Sequence, residues 1–346
     1  MSVTTGTPTL ADLTTLHVGG PIGRLVVAES EATLLAAVAD ADAAGQPALV
    51  VGGGSNLLVG DDGFPGTVVL VGTRGITVND ESGCTGADVT VSAGEPWDAL
   101  VALAVERGWA GIEALSGIPG LVGATPIQNV GAYGAEVADV IAQVRTYDRQ
   151  TRAIKTFAAA DCGFGYRDSI FKQQAGRYLV LSVTFQFVLA DRSAPVRYAE
   201  LARALGVELG ARVPAADLRT AVLALRRSKG MVLDADDHDT WSAGSFFTNP
   251  VLTVEQAEAL PGDAPRYPAG GLIKSSAAWL IDHAGFAKGY GSGPARLSTK
   301  HTLALTNRGS ATAADVLALA REIRDGVRAA YGVTLVPEPV LINCTL

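Results

Sequence analysis

Residues 51–66 read VGGGSNLLVGDDGFPG, and the fold turns on how this stretch is read. It follows the strand candidate PALVV, which ends at Val51, and precedes a second, TVVLV. Gly52, Gly53 and Gly54 remove side chains where backbone N–H groups could approach a pyrophosphate, and Ser55 and Asn56 add donors. The stretch fails the dinucleotide fingerprint. The position for the third glycine holds Leu57, no helical pattern follows, and no acidic residue lies about 20 residues on to hold a ribose. No G-x-x-x-x-G-K-[ST] occurs, so an ATPase P-loop is excluded as a motif. Taken alone, three glycines after a strand are also compatible with a plain turn.

Upstream, RLVVA at 24–28 reads as a strand, and 29–45 reads as a helix opening near Ser30 and stopping at Gly45. Downstream come VTVSAG, the helix WDALVALAVERG with Gly108 as its stop, and the strands QVRTYD and RYLVLSVTFQFVL. The polar segment ADRSAPVRYAEL marks a boundary after which helices are expected to dominate, notably PAADLRTAVLALRRSKG and TAADVLALAREIRDGVRAAYG. Thr312 and Asp315 form a capping box for the last of these. The pattern is mixed α+β.

A second glycine-rich element runs through residues 111–137. Gly117, Gly120, Gly123, Gly131 and Gly134 permit close backbone approach, and Gln128 and Asn129 carry amides able to read the edge of a heteroaromatic ring. Two such loops suit a long cofactor with a diphosphate at its middle; irregular loops packed on one another are the bland alternative. The chain has 346 residues, 48% of them hydrophobic, enough for two or three domains. Its formal charge of -8 disfavours nonspecific binding to nucleic acid. The cysteines Cys84, Cys162 and Cys344 have neither C-x-x-C nor zinc spacing, no metal site is expected, and a reducing cytoplasm suits them. The N-terminus lacks a signal-peptide pattern, and no run reaches the roughly 18 apolar residues of a membrane helix.

Five stretches in order, VGGGSNLLVGDDGFPG, SGIPGLVGATPIQNVGAYGAE, CGFGYRDSIFK, AGSFFTNP and LVPEPV, closely resemble the UDP-N-acetylenolpyruvoylglucosamine reductase (MurB) family over nearly the whole chain. The resemblance implies an FAD-binding fold of the vanillyl-alcohol-oxidase (PCMH) type in two subdomains plus a C-terminal α/β substrate-binding domain. The expected division is 1–70, rejoined by 332–346, then 71–205, then 206–331. It also implies reduction of a UDP-sugar enolpyruvyl ether through FAD by NADPH, in a cytoplasmic enzyme taken to be a monomer. The first loop carries no histidine of the kind that attaches flavin covalently, so the FAD should be noncovalent.

By motif, Arg167 corresponds to the family's active-site arginine, Ser245 to its proton donor and Glu338 to its active-site carboxylate. Cofactor contacts map to Gly52, Gly53, Gly54, Ser55, Asn56, Gly117, Gly120, Gly123, Thr125, Gln128, Asn129 and Gly131. Substrate contacts map to Tyr133, Lys229 and Asn249, with Tyr198 resembling a tyrosine that one branch places over the substrate. The sequence departs from the family at Ala124, where some members have serine, and at Leu16-His17, where an aromatic is usual. Chemically the roles are reasonable. A guanidinium fork matches a carboxylate that gains enolate character. Pro337 and Pro339 stiffen the backbone around Glu338, whose apolar flanks would raise its pKa. Without the motif, Arg167 could equally pair with Asp168, Glu338 could be a solvated turn residue, and Lys229 a helix-end lysine.

Overall fold

A computed structural model describes residues 8–346. The chain divides into two compact units. One comprises residues 23–53 and 65–227; the other comprises residues up to Ile22, then 54–64 and 228–346.

In the first of these, Ile22–Ala28, Phe64–Val71 and Ala48–Val51 form a three-stranded sheet, the last two pairing in parallel. The helix Glu31–Ala43 is opened by Ser30, whose hydroxyl accepts the Thr33 N–H. Asp42 and Glu31 on this helix make two-pronged pairs with Arg149 and Arg145, at 2.6–3.0 Å, tying it to the strand Ile141–Asp148. That strand belongs to an antiparallel sheet ordered 153–158, 141–148, 178–189, 86–92, 76–82. The long strand Tyr178–Leu189 is central, and Ala87, Val89 and Val91 alternate inward from the neighbouring strand. Trp97 and Trp109 are fully covered, and the Trp109 ring stacks on Phe187 at 5.7 Å. The helix Trp97–Arg107 ends on Gly108 in the left-handed region, φ +68°, as a residue without a Cβ allows.

The other unit packs around the helix Ala313–Tyr331. Ala313, Val316, Leu317, Ala320, Ile323 and Val327 recur at helical spacing and join Leu280, Ile281, Leu297 and Leu305 in one core. The Thr312–Asp315 capping box is formed, and Asp61 adds a carboxylate that accepts the Ala313 and Ala314 N–H groups at 2.7 and 3.0 Å. Val340–Ile342 lies parallel to Leu57–Val59. The region beyond residue 201 is less helical than its sequence suggests. Short strands at 251–252, 272–274 and 267–269, and at 295–297 and 305–307, form two further sheets. All five of these strands have only two or three residues, too few to show a period of two.

Candidate active site

The first glycine-rich loop connects Val51 to Leu57 without helix or strand. A Cβ on Gly53 would lie 2.7 Å from the Gly120 Cα, so the backbones of the two glycine-rich loops touch there. Gly54 has φ +60°, and a Cβ on it would lie 1.8 Å from the Leu13 carbonyl oxygen. Only glycine fits these positions. Stretches of backbone stripped of side chains are what a diphosphate-bearing cofactor requires of its cradle, and these residues fit an FAD.

The second loop is held by polar contacts as well. Asp98, on the helix Trp97–Arg107, accepts the Gly117 N–H at 2.6 Å and takes a two-pronged bond from Arg219 at 2.6 and 2.8 Å. The pull of Arg219 and Gly117 outweighs the effect of burial and holds the Asp98 carboxyl below the usual carboxylate range. Gly123 donates to the Ala93 carbonyl, and Thr125 Oγ1 donates to Val122 O at 2.8 Å. A short helix, Thr125–Gln128, buries Gln128 and ends on Asn129 in the left-handed region at φ +42°. The Asn129 amide does not present itself as a ring-edge reader. Its Nδ2 donates to Glu136 at 2.9 Å and Gly165 O at 2.8 Å, and its Oδ1 accepts Ala138 N–H at 3.2 Å. Both donors are thus spent on shaping the loop.

Arg167 sits in a tight turn closed by mutual Gly165 and Asp168 backbone bonds, at φ +54°. Its guanidinium donates to Gly131 O at 2.6 Å, and its own carbonyl accepts Lys172 Nζ at 2.8 Å. Asn129, Tyr133 and Arg167 are all non-glycine residues with positive φ, a conformation that persists only where the surroundings enforce it. The Tyr133 ring meets Tyr198 edge-on at 5.6 Å, and burial pushes its phenol up to about 12. Tyr198 itself is exposed, at the start of the helix Ala199–Leu205.

Ser245 and Glu338 lie in the other unit, on neighbouring segments. Thr248 N–H donates to Val336 O at 3.1 Å, Phe247 bridges Pro337 antiparallel, and Glu338 N–H donates to Phe246 O at 2.8 Å. This short ladder joins the backbone segments that carry Ser245 and Glu338, and both residues are half-buried. The other face of the Glu338 segment meets the first glycine-rich loop. Val340 N–H donates to Asn56 O at 2.9 Å, and Asn56 Nδ2 reaches Glu338 O at 3.5 Å. Asn249 Oδ1 accepts Ala277 N–H at 3.0 Å, at the start of the helix Ala277–His283. Lys229 directly follows the helix Ala215–Ser228. At the departures from the motif, Leu16 is buried in the same core as Phe246 and Phe247, and the His17 ring packs 4.2 Å from Trp241.

The sequence reading missed Asp98, Arg219 and Arg226. Arg226 is half-buried near the end of its helix, where desolvation holds its pKa below the ordinary guanidinium value against the opposing influence of Tyr133 and Asp98. A signal existed, since arginines seven residues apart in an amphipathic helix share one face.

Residues 22–156 match the FAD binding domain family, and residues 236–342 match the C-terminal domain of UDP-N-acetylenolpyruvoylglucosamine reductase. Among curated relatives, the UDP-N-acetylenolpyruvoylglucosamine reductase of Cutibacterium acnes is 59% identical, covering 97% of this chain and 90% of that one. The protein of the same name from Streptomyces avermitilis is 57% identical, with 97% and 94% covered. Among solved structures, the reductase (MurB) of Thermus caldophilus matches with a TM-score of 0.66 at 27% identity over 97% of both chains. With both halves matched by family models and relatives this similar from end to end, the chain belongs to the UDP-N-acetylenolpyruvoylglucosamine reductase family.

Proposed function

We propose that this chain reduces UDP-N-acetylglucosamine enolpyruvate to UDP-N-acetylmuramate, with noncovalent FAD and NADPH, in the cytoplasm and as a monomer. The reaction adds hydride to one carbon of the enolpyruvyl double bond and a proton to its neighbour, consuming NADPH and H⁺ and releasing NADP⁺. Bound FAD, reduced by NADPH, supplies the hydride. The observation that supports the reading is the short backbone ladder joining the Ser245 and Glu338 segments, the second of which is also hydrogen-bonded to the first glycine-rich loop through Val340 and Asn56.

In this reading Arg167 takes the substrate carboxylate, and its fixed charge gains value as enolate density builds. Glu338 supports the same developing charge. Ser245 delivers the proton. Gly52, Gly53, Gly54, Ser55 and Asn56 hold the cofactor from the first loop, and Gly117, Gly120, Gly123, Thr125, Gln128, Asn129 and Gly131 from the second, with Asn129 acting through its main chain. Tyr133, Tyr198, Lys229 and Asn249 hold the nucleotide-sugar. The free thiols Cys84, Cys162 and Cys344 support a reducing compartment.

Stopped-flow absorbance tests the assignment. NADPH should bleach a yellow protein, and the enolpyruvyl substrate should restore the colour. In Ser245→Ala the bleaching should keep its rate, and the return should slow by roughly 10²–10⁴-fold. Return of colour with dioxygen alone, and none with the enolpyruvyl ether, would point to an oxidase instead. Light scattering at a mass near 35.5 kDa checks the monomer.

A further inference from the structure

We infer that Thr15 is a positioning residue, which fixes the loop carrying Ser245 against the first glycine-rich loop; this rests on the reading of Ser245 as proton donor. Thr15 is buried, so its hydroxyl must find a partner inside the protein. That hydroxyl donates to Ser242 O at 2.7 Å, a bond spanning 227 residues of sequence. Its main-chain N–H donates to Gly54 O at 3.2 Å. One residue therefore grips both loops. The Gly54 side of the grip is tight, since a Cβ there would meet the Leu13 carbonyl and, at 2.8 Å, the Thr14 Cα.

From Ser242 the hold passes toward Ser245 in one step, because Ser242 Oγ accepts the Gly244 N–H at 3.2 Å. The segment that presents Thr15 is itself fixed. Thr14 Oγ1 donates to Val18 O at 3.0 Å, and the buried Asn307 donates through Nδ2 to the Leu16 and His17 carbonyls at 3.2 and 3.0 Å. Asn307 also donates its main-chain N–H to Trp241 O at 3.0 Å, next to Ser242. His17, in the left-handed region at φ +52°, lays its ring on Trp241. The segment 14–18 thus acts as a bracket. It defines where the proton donor stands relative to the loop assigned to the cofactor, and a donor displaced by a fraction of an ångström loses rate without losing fold.

The test compares Thr15→Val, which keeps the shape and removes the O–H, with Thr15→Ser, which keeps the O–H. In the FAD-loaded enzyme, Thr15→Val should bleach with NADPH within about twofold of the wild-type rate, while reoxidation by UDP-N-acetylglucosamine enolpyruvate slows by about tenfold or more. Thr15→Ser should restore reoxidation to within about twofold. Amide exchange, measured without cofactor or substrate, should quicken in Thr15→Val at residues 241–247 and stay unchanged in the helix Ala313–Tyr331. Wild-type exchange and wild-type rates in Thr15→Val overturn the assignment. So does an equal fall of both half-reactions with a lowered unfolding midpoint, which would make the hydroxyl a support of the fold alone. Should Thr15→Val not fold, Thr15→Cys, a weak donor, takes its place under the same criteria. Ser245→Ala, run in parallel, separates the two readings: wild-type reoxidation there defeats the proton-donor role, whereas slow reoxidation there beside an unaffected Thr15→Val defeats only the role of Thr15.

Discussion

The two glycine-rich loops share glycines with no room for a side chain, Gly53 and Gly54 in one and Gly123 and Gly134 in the other, but differ in what else holds them. The first is shaped by what it lacks: at Gly53 and Gly54 the main chain lies so close to its neighbours that no side chain fits. The second contains glycines too, but its turns at Asn129 and Tyr133 use residues with side chains in the left-handed region. Those turns are held by an asparagine amide, a glutamate and an arginine fork. The first loop cannot be altered by degrees, because its contacts are steric and backbone to backbone. The second is a polar network and should yield bond by bond.

The largest effect should come from the first loop. Gly54→Ala forces a Cβ into the Leu13 carbonyl at a positive φ, and should cost about 3 kcal/mol or more along with the retained flavin. Thermal unfolding and the visible spectrum of the purified variant check this, and a yellow Gly54→Ala protein of normal stability would erase the contrast between the loops. Next comes Arg167→Lys, which keeps the charge but loses the fork that binds Gly131 O, and should lower turnover by about 10²-fold while KM changes less. Steady-state kinetics decides it. Glu136→Leu removes one acceptor from Asn129 Nδ2 and should cost about 1–2 kcal/mol in chemical denaturation, with the flavin still bound. If it costs as much as Gly54→Ala, the second loop is as brittle as the first.

The smallest effect is in alkali. The Tyr133 phenol ionises only at about 12 when folded, against an ordinary value of 10.0, so the unfolded chain releases this proton first. The associated stability is fully present below pH 10 and fades as pH rises from 10 towards 12. Tyr133→Phe should flatten that decline by roughly 1 kcal/mol once solvent screening of a partly exposed ring is allowed for. Denaturation curves of both proteins across that range measure the difference.

Local chemistry was legible from the sequence, and long-range pairing was not. The Thr312–Asp315 box and the stop at Gly108 rest on contacts within a few residues, and the apolar runs at 141–148 and 178–189 are legible as strands, whereas the mostly exposed edge strands Ile76–Ser82 and Ala153–Ala158 carry no apolar alternation and are not. The two glycine-rich loops were legible by composition, and the five ordered motifs identified the family. The short strands of the later half escaped because they carry no period. Asn129 reads in sequence as an amide free for a ligand, yet its partners Glu136 and Gly165 are fixed only once the chain has folded. Thr15 had no signal at all. A threonine in the run LTTLH is unremarkable until Ser242 arrives beside it.

The parallel pair formed by Leu57–Val59 and Val340–Ile342 has a consequence for synthesis. A ribosome adding about 5–20 residues per second makes the later strand roughly 15–55 s after the earlier one. The edge of Leu57–Val59 is without its partner until then, and for the last part of the interval, once Arg227 has been made, the unit ending there already has all of its strands. The nascent protein therefore passes through a stage in which one unit can fold and the other holds an open, apolar strand edge. That stage is when a chaperone has most to protect.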